Sequence, residues 1–259
     1  MNPTDKNKPD ITVIMPALNE EKNIRAAMDA SLLAFGDFKL NGELLVINDG
    51  STDGTEKIIE DKIKKDSRVR MVKHETPHGF GASFWDGVDA SAGTAVVVLP
   101  GDNENDPSEI LRYFSLLEHV DLIIPFAFNK EVREGMRNFI SSVYRFIINM
   151  TFGVSFNYTN GTIIYRCSLL KEMPHRNKSF FFQTDILIRA AKGGYLFAEV
   201  PYRLGKRADG TSKALSFSSL RKVIKGYARL VVDYYFGKDK GAAKSFTNDS
   251  MTSRRRQWK

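Results

Sequence analysis

A chain of 259 residues, 42% hydrophobic and 27% charged, has the length of one large α/β domain and the composition of a folded protein, which excludes a disordered or fibrous one. A single cysteine, Cys167, excludes a disulfide framework and a cysteine-built zinc site, so a reducing compartment is expected. The net charge of +7 is uneven: residues 213–259 hold 12 Lys/Arg against three Asp, and residues 1–212 are slightly acidic. That distribution argues against nucleic acid as a partner of the whole domain and favours a local basic segment facing anionic lipid or phosphate.

Residues 11–15 form a short apolar, β-branched run, and a helical pattern follows from Glu20 to about Phe35. Strand-like runs recur at 43–47, 69–72 and 95–99, with helices over about 53–65, 79–92 and 107–117. Short apolar runs alternating with helical patterns predict a doubly wound, mostly parallel, Rossmann-like sheet covered on both faces. Ligands of such sheets bind at the carboxyl ends of the strands. Further strands are expected at 122–128, 161–166 and 196–200, with a helix over 184–192. Residues 138–156 and 217–236 are amphipathic stretches, the second carrying Arg221, Lys222, Lys225 and Arg229. From Gly237 onward the chain is polar and basic and is expected to be an unstructured tail, as are the first ten residues at the other end. Those ten residues lack the apolar core of a signal peptide, and no apolar run reaches the ~18–20 residues that span a bilayer. The expected division is therefore a domain over 11–215, an amphipathic helix over 216–236 and a tail over 237–259.

The chemistry concentrates at four strand ends. They read Pro16-Ala17-Leu18-Asn19-Glu20, then Asn48-Asp49-Gly50-Ser51-Thr52-Asp53-Gly54-Thr55, then His78-Gly79-Phe80-Gly81-Ala82-Ser83, then Pro100-Gly101-Asp102-Asn103-Glu104. Taken singly, Asn19 and Asp53 also suit helix caps and the glycines suit turns. Their joint order along one sheet edge is what a nucleotide site requires.

These motifs resemble glycosyltransferase family 2, the GT-A fold, and most closely its dolichyl- or polyprenyl-phosphate mannose or glucose synthase branch. The first two turns are similar to the P-x-x-N-E and D-D-G-S-x-D-x-T motifs. Residues 78–93 are similar to the G-x-x-x-A…G…A-x-G helix. Glu199-Val200-Pro201 with Arg207-x-x-Gly210-x-Ser212-Lys213 resembles the E-V-P…R-x-x-G-x-S-K segment of the polyprenyl-phosphate branch. Two positions depart from the pattern: Asn48 stands for an Asp, and Pro100 stands for the first Asp of the D-x-D-x-Q metal loop, in which Glu104 replaces Gln.

The resemblance implies an inverting enzyme that takes a sugar from a GDP- or UDP-linked donor. Pro16, Leu18, Asn19, Glu20, Asn48, Asp49 and Gly81 would bind the nucleotide, and Asp102 with Glu104 would bind Mg²⁺ or Mn²⁺. Arg207 and Lys213 would stabilise the leaving diphosphate. Arg137 and Arg145, beside the aromatic stretch, are candidates to clamp an acceptor phosphate. Asp185 is the candidate base if the acceptor is a glycan or glycolipid hydroxyl. A catalytically inactive nucleotide-sugar-binding scaffold is the reading from another class, to which Pro100 gives some standing. The implied location is cytoplasmic, peripheral at the cytosolic membrane face, held by the amphipathic stretches on an anionic surface. Both stripes also suit packing into the core, against a second copy or against a membrane protein.

Overall fold

Strand β1 (Ile11–Ala17), β2 (Gly42–Asp49) and β4 (Ala95–Val98) are buried at every residue, which is why their central runs, 13–15, 44–47 and 95–98, are continuously apolar rather than alternating. The protein is described by a computed structural model over residues 8–129, 135–173, 175–204, 217–237, 246–247 and 249–257. With β3 (Val69–His74) these strands form a parallel half-sheet in the order β3-β2-β1-β4. Successive side chains point to opposite faces. Val13 and Met15 enter one core with α1 (Ile24–Asp37) and α4 (Pro107–Leu111). Ile14 enters the other with Phe84, Trp85 and Val88 of α3 (Phe80–Ala90). Helix α2 (Thr55–Ile63) connects β2 to β3 and buries Ile59.

Two helix boundaries differ from expectation for local reasons. Helix α1 starts at Ile24 because Glu20 turns the chain: its carbonyl accepts from the amides of Asn23 and Ile24 at 2.9 and 2.8 Å. Helix α4 is capped by Asp106, which accepts from the Ser108 amide at 2.9 Å. It then gives way to a 3₁₀ helix over Phe114–Glu118 instead of running to Leu117.

The second half holds β5 (Leu122–Ala127), α5 (Gly135–Phe152), β6 (Ile164–Arg166), α6 (Cys167–Lys171), α7 (Phe182–Gly193), β7 (Phe197–Tyr202) and α8 (Phe217–Phe236). The sheet continues β4-β6-β5-β7, with β6 antiparallel to both neighbours and β7 parallel to β5. The strand expected over 161–166 keeps only its last three residues. Because β6 is reversed, Ile164 pairs with Val97, so the segment entering β6 meets the edge from which β4 leaves.

The expectation of an unstructured tail is corrected among the described residues. Helix α9 (Met251–Gln257) docks on Asp121, which is 0% exposed. That carboxylate accepts from the Met251 amide at 2.6 Å, from the Thr252 amide at 3.2 Å, from the Thr252 hydroxyl at 2.6 Å and from the Leu196 amide at 3.2 Å. Arg166 lies 3.3 Å away as the compensating charge. A polar sequence hides this docking because its contacts are hydrogen bonds, which leave no apolar period.

Candidate active site at the carboxyl edge of the sheet

Hydrogen bonds join the four turns into one rim. Asn19, whose φ of 58° is a left-handed conformation that asparagine tolerates, accepts from the Thr52 amide at 2.8 Å through its side chain and donates its amide to the Ser51 hydroxyl at 3.0 Å. The Glu20 amide donates to the Thr55 hydroxyl at 2.8 Å, and the Glu20 carboxylate accepts from Asn23 at 2.9 Å. Glu21 and Asp53 exchange bonds across the same seam: the Gly54 amide donates to Glu21 at 2.9 Å and the Glu21 amide to Asp53 at 3.2 Å. Pro16 accepts the Gly101 amide at 3.0 Å, which attaches the acidic turn to the first one. Leu18 is half-buried on the same rim.

Asn48 and Asp49 are spent on shaping the second turn. Buried Asn48 accepts from the Ser51 amide at 3.1 Å. Asp49 accepts from the amides of His78 and Gly79, both at 2.8 Å, and pairs with His74 Nδ1 at 2.7 Å. Burial pushes the Asp49 carboxyl up, but the bonds from His74, His78 and Gly79 together outweigh it and hold the group below its ordinary range. Gly81 serves packing. A Cβ there would stand 2.5 Å from the Lys178 carbonyl oxygen, so glycine lets α3 approach the 178–179 backbone.

The acidic turn presents Asp102 and Glu104 half-buried, with Asp102 Oδ1 accepting the Glu104 amide at 3.1 Å and Asn103 in the left-handed region at φ 57°. Two carboxylates are hard donors suited to Mg²⁺ or Mn²⁺, and too few to hold the ion without substrate oxygens. That is the usual composition of a site completed by phosphates.

The segment entering β6 meets the first turn of α7. Gln183 donates to the Gly161 carbonyl at 2.5 Å, and Thr184 bonds Asn160 at 3.0 Å and the Tyr144 hydroxyl at 2.8 Å. Tyr144 is pushed up to about 12 by burial. Asp185 is only 2% exposed. Arg189 donates to its Oδ1 at 3.1 Å and to Asp233 of α8 at 2.8 Å, while Asp185 Oδ2 is buried with no hydrogen-bond partner among the described residues. Burial raises the Asp185 pKa, and Arg189 opposes that rise. Arg145 donates to the Asn157 carbonyl at 3.0 Å and lines a small pocket with Phe126, Asn138, Ser141, Ser142 and Tyr158 at the end of β5. The backbone of Arg137 lies on α5. Arg207 and Lys213 fall outside the described residues.

The two amphipathic stretches part company. In α8, Leu230 is buried and Val223, Tyr227 and Val231 pack on the core, while Ile224, Val232 and Phe236 are exposed. Helix α5 turns Ile148 and Phe152 inward but leaves Met136, Phe139, Ile140, Val143, Phe146, Ile147 and Met150 exposed. No helix among the described residues is long and apolar enough to cross a membrane.

Ser51, Thr52 and Thr55 belong to the second turn's motif, and the structure shows how they fasten the rim. His74 lies beyond the strand expected over 69–72, and only the parallel register that sets it opposite Asp49 reveals the pair.

The family model described as glycosyl transferase family 2 matches residues 12–174. The chain belongs to glycosyl transferase family 2. Polyprenol monophosphomannose synthase of Mycolicibacterium smegmatis is 28% identical to it over 228 residues, 82% of this chain and 83% of that protein. Dodecaprenyl-phosphate galacturonate synthase of Rhizobium johnstonii is 26% identical over 168 residues, 63% of this chain and 50% of that protein; the match thus spans half the length of this relative. Among solved structures, glucosyl-3-phosphoglycerate synthase from Mycobacterium tuberculosis in complex with uridine-diphosphate has a TM-score of 0.65 at 21% identity, covering 95% of this chain and 87% of that one. The fold is therefore GT-A, as expected, and the family is one of nucleotide-sugar-dependent glycosyltransferases.

Proposed function

We propose that this family 2 glycosyltransferase transfers a sugar, with inversion, from a GDP- or UDP-sugar to a polyprenyl or dolichyl phosphate at a cytosolic membrane face. The observation that carries the reading is α5. One helix brings the Arg145 cation to a small pocket and also exposes seven large apolar side chains. A lipid phosphate needs both, a cation for its head and an apolar surface for its chain. The names of the two polyprenyl-phosphate relatives agree with it.

In this reading Pro16, Leu18, Asn19, Glu20, Asn48 and Asp49 shape the pocket for base and ribose, and Gly81 seats the helix beneath it. Asp102 and Glu104 hold Mg²⁺ or Mn²⁺ together with diphosphate oxygens. When bound, that ion offsets the charge that develops on the leaving nucleoside diphosphate. Arg207 and Lys213 add positive charge to the same group, and Arg137 and Arg145 orient the acceptor phosphate. Its oxygen is already ionised near neutrality, since the second pKa of a monoester is ~6. Proximity then suffices without a general base.

A second reading is favoured by one atom. Asp185 Oδ2, which has no hydrogen-bond partner among the described residues, could accept a proton from a hydroxyl acceptor. The Asp185→Asn variant separates the two. Phosphate transfer should keep turnover within a few-fold, whereas loss of a general base costs about 10²–10⁴-fold. The deciding assay offers each donor with short-chain polyprenyl phosphate, the unphosphorylated polyprenol or 3-phosphoglycerate, and identifies products by mass spectrometry. Product with the last two but none with polyprenyl phosphate would overturn the leading reading.

Docking is tested separately. Exposed Lys222, Lys225 and Arg229 on α8 would each contribute about 1 kcal/mol near an anionic surface. Co-sedimentation with anionic vesicles should fall at least several-fold in the Phe139→Asp, Phe146→Asp double variant, and should weaken with salt in the wild type. Equal binding of variant and wild type would remove α5 as the contact.

A further inference from the structure

Behind Asp49, outside the acidic turn, the end of β3, the turn before α3 and the exposed side of α3 bring His74, His78 and Asp86 together. We propose that these three side chains form a second metal site, selective for a borderline ion such as Zn²⁺ over the Mg²⁺ or Mn²⁺ of the acidic turn. The inference goes beyond the transfer reading and stands independently of it.

The donor atoms of the three residues lie within 4.8 Å of one another. His74 Nε2 is 3.2 Å from Asp86 Oδ2, close to the spacing of about 3.3–3.5 Å between neighbouring ligands of a tetrahedral ion bound at about 2.0–2.1 Å. The His78 ring stacks on His74 with centroids 4.2 Å apart. Its side chain is exposed, so a side-chain rotation brings its nitrogen into the same sphere.

Tautomer control makes the geometry productive. His74 Nδ1 faces Asp49 Oδ1 at 2.7 Å; with the proton on Nδ1, the lone pair of Nε2 points at Asp86. A carboxylate behind a ligating imidazole is the arrangement that orients histidine for a metal and strengthens it as a ligand. Two imidazoles and one carboxylate suit Zn²⁺, whereas Mg²⁺ prefers oxygen donors and retains its waters. Three protein ligands leave the fourth position to water. A histidine cation bridging Asp49 and Asp86 would account for two of the groups, and would make no use of His78.

Such an ion would pin the 76–79 turn to α3 beside the carboxylate that anchors it. Calorimetric titration of Zn²⁺ into the full chain, with Mg²⁺ in excess, should show one tight equivalent. Affinity should fall by at least about 10–100-fold in both His78→Ala and Asp86→Asn, a loss that even an outer-shell change can produce. Because neither side chain is buried, both variants should keep the wild-type melting temperature without zinc. Co²⁺ should give a visible absorption spectrum in the wild type that both variants lose. No zinc binding by the wild type, or equal binding by the variants, would overturn the site.

Discussion

Asp102→Asn should lower sugar transfer by about 10²–10³-fold, the range seen when one preorganised group that stabilises transition-state charge is removed. Pro100 occupies the position of the loop's first acid, and the turn's other carboxylate, Asp106, is engaged in capping α4. Glu104 alone would then share the ion with substrate oxygens. Stability should change by no more than about 0.5 kcal/mol, as for a partly exposed surface position, because Asn can still accept the Glu104 amide through its own Oδ1. Initial rates measured across a Mn²⁺ titration provide the check. The variant should need more metal and reach a lower plateau, and an unchanged curve would remove Asp102 from the metal site.

Asp121→Ala should be the most damaging single change to the fold among those considered, costing about 3–5 kcal/mol, the range for breaking a buried charge pair by removing one partner. The substitution leaves Arg166 half-compensated and strips the acceptor from the amides of Leu196, Met251 and Thr252 at once. Urea denaturation measures the loss, and limited proteolysis should cut the α9 segment in the variant before any other described region. Asp121→Asn should fall between, since its amide oxygen retains some of those bonds. A variant as stable as the wild type would show that α9 does not depend on this carboxylate.

The parallel half-sheet and its four turns were legible because each leaves a local trace, a short apolar run followed by a polar, acidic or glycine-rich turn. What the sequence concealed was how those turn residues are used. Asn19, Asn48 and Asp49 matched a nucleotide motif, yet the bonds they make here are to Thr52, Ser51 and the 78–79 backbone. The bonds of Asn19 and Asp49 join residues about thirty positions apart and emerge only when strand register is known, whereas that of Asn48 is local. Helix α8 combines both readings of its stripe: Val223, Tyr227, Leu230 and Val231 pack on protein, while Ile224, Val232 and Phe236 stay exposed beside its basic residues. Periodicity reports that a face is apolar and is silent about what covers it. The exposure of α5 likewise needed coordinates.

The reversed strand β6 has a mechanical meaning. It is three residues long and, among the described residues, is the one strand joining β1–β4 to β5 and β7 within the sheet. Its ladders pair three residues with β4 and two with β5, against seven between β1 and β2. A twist or shear between the two halves therefore strains fewest backbone bonds along this line. The line also separates the turns read as donor-binding from Arg145 and the α5 surface read as acceptor-binding. Both apolar cores nevertheless run across this line, so side-chain packing rather than the backbone ladder holds the two halves together.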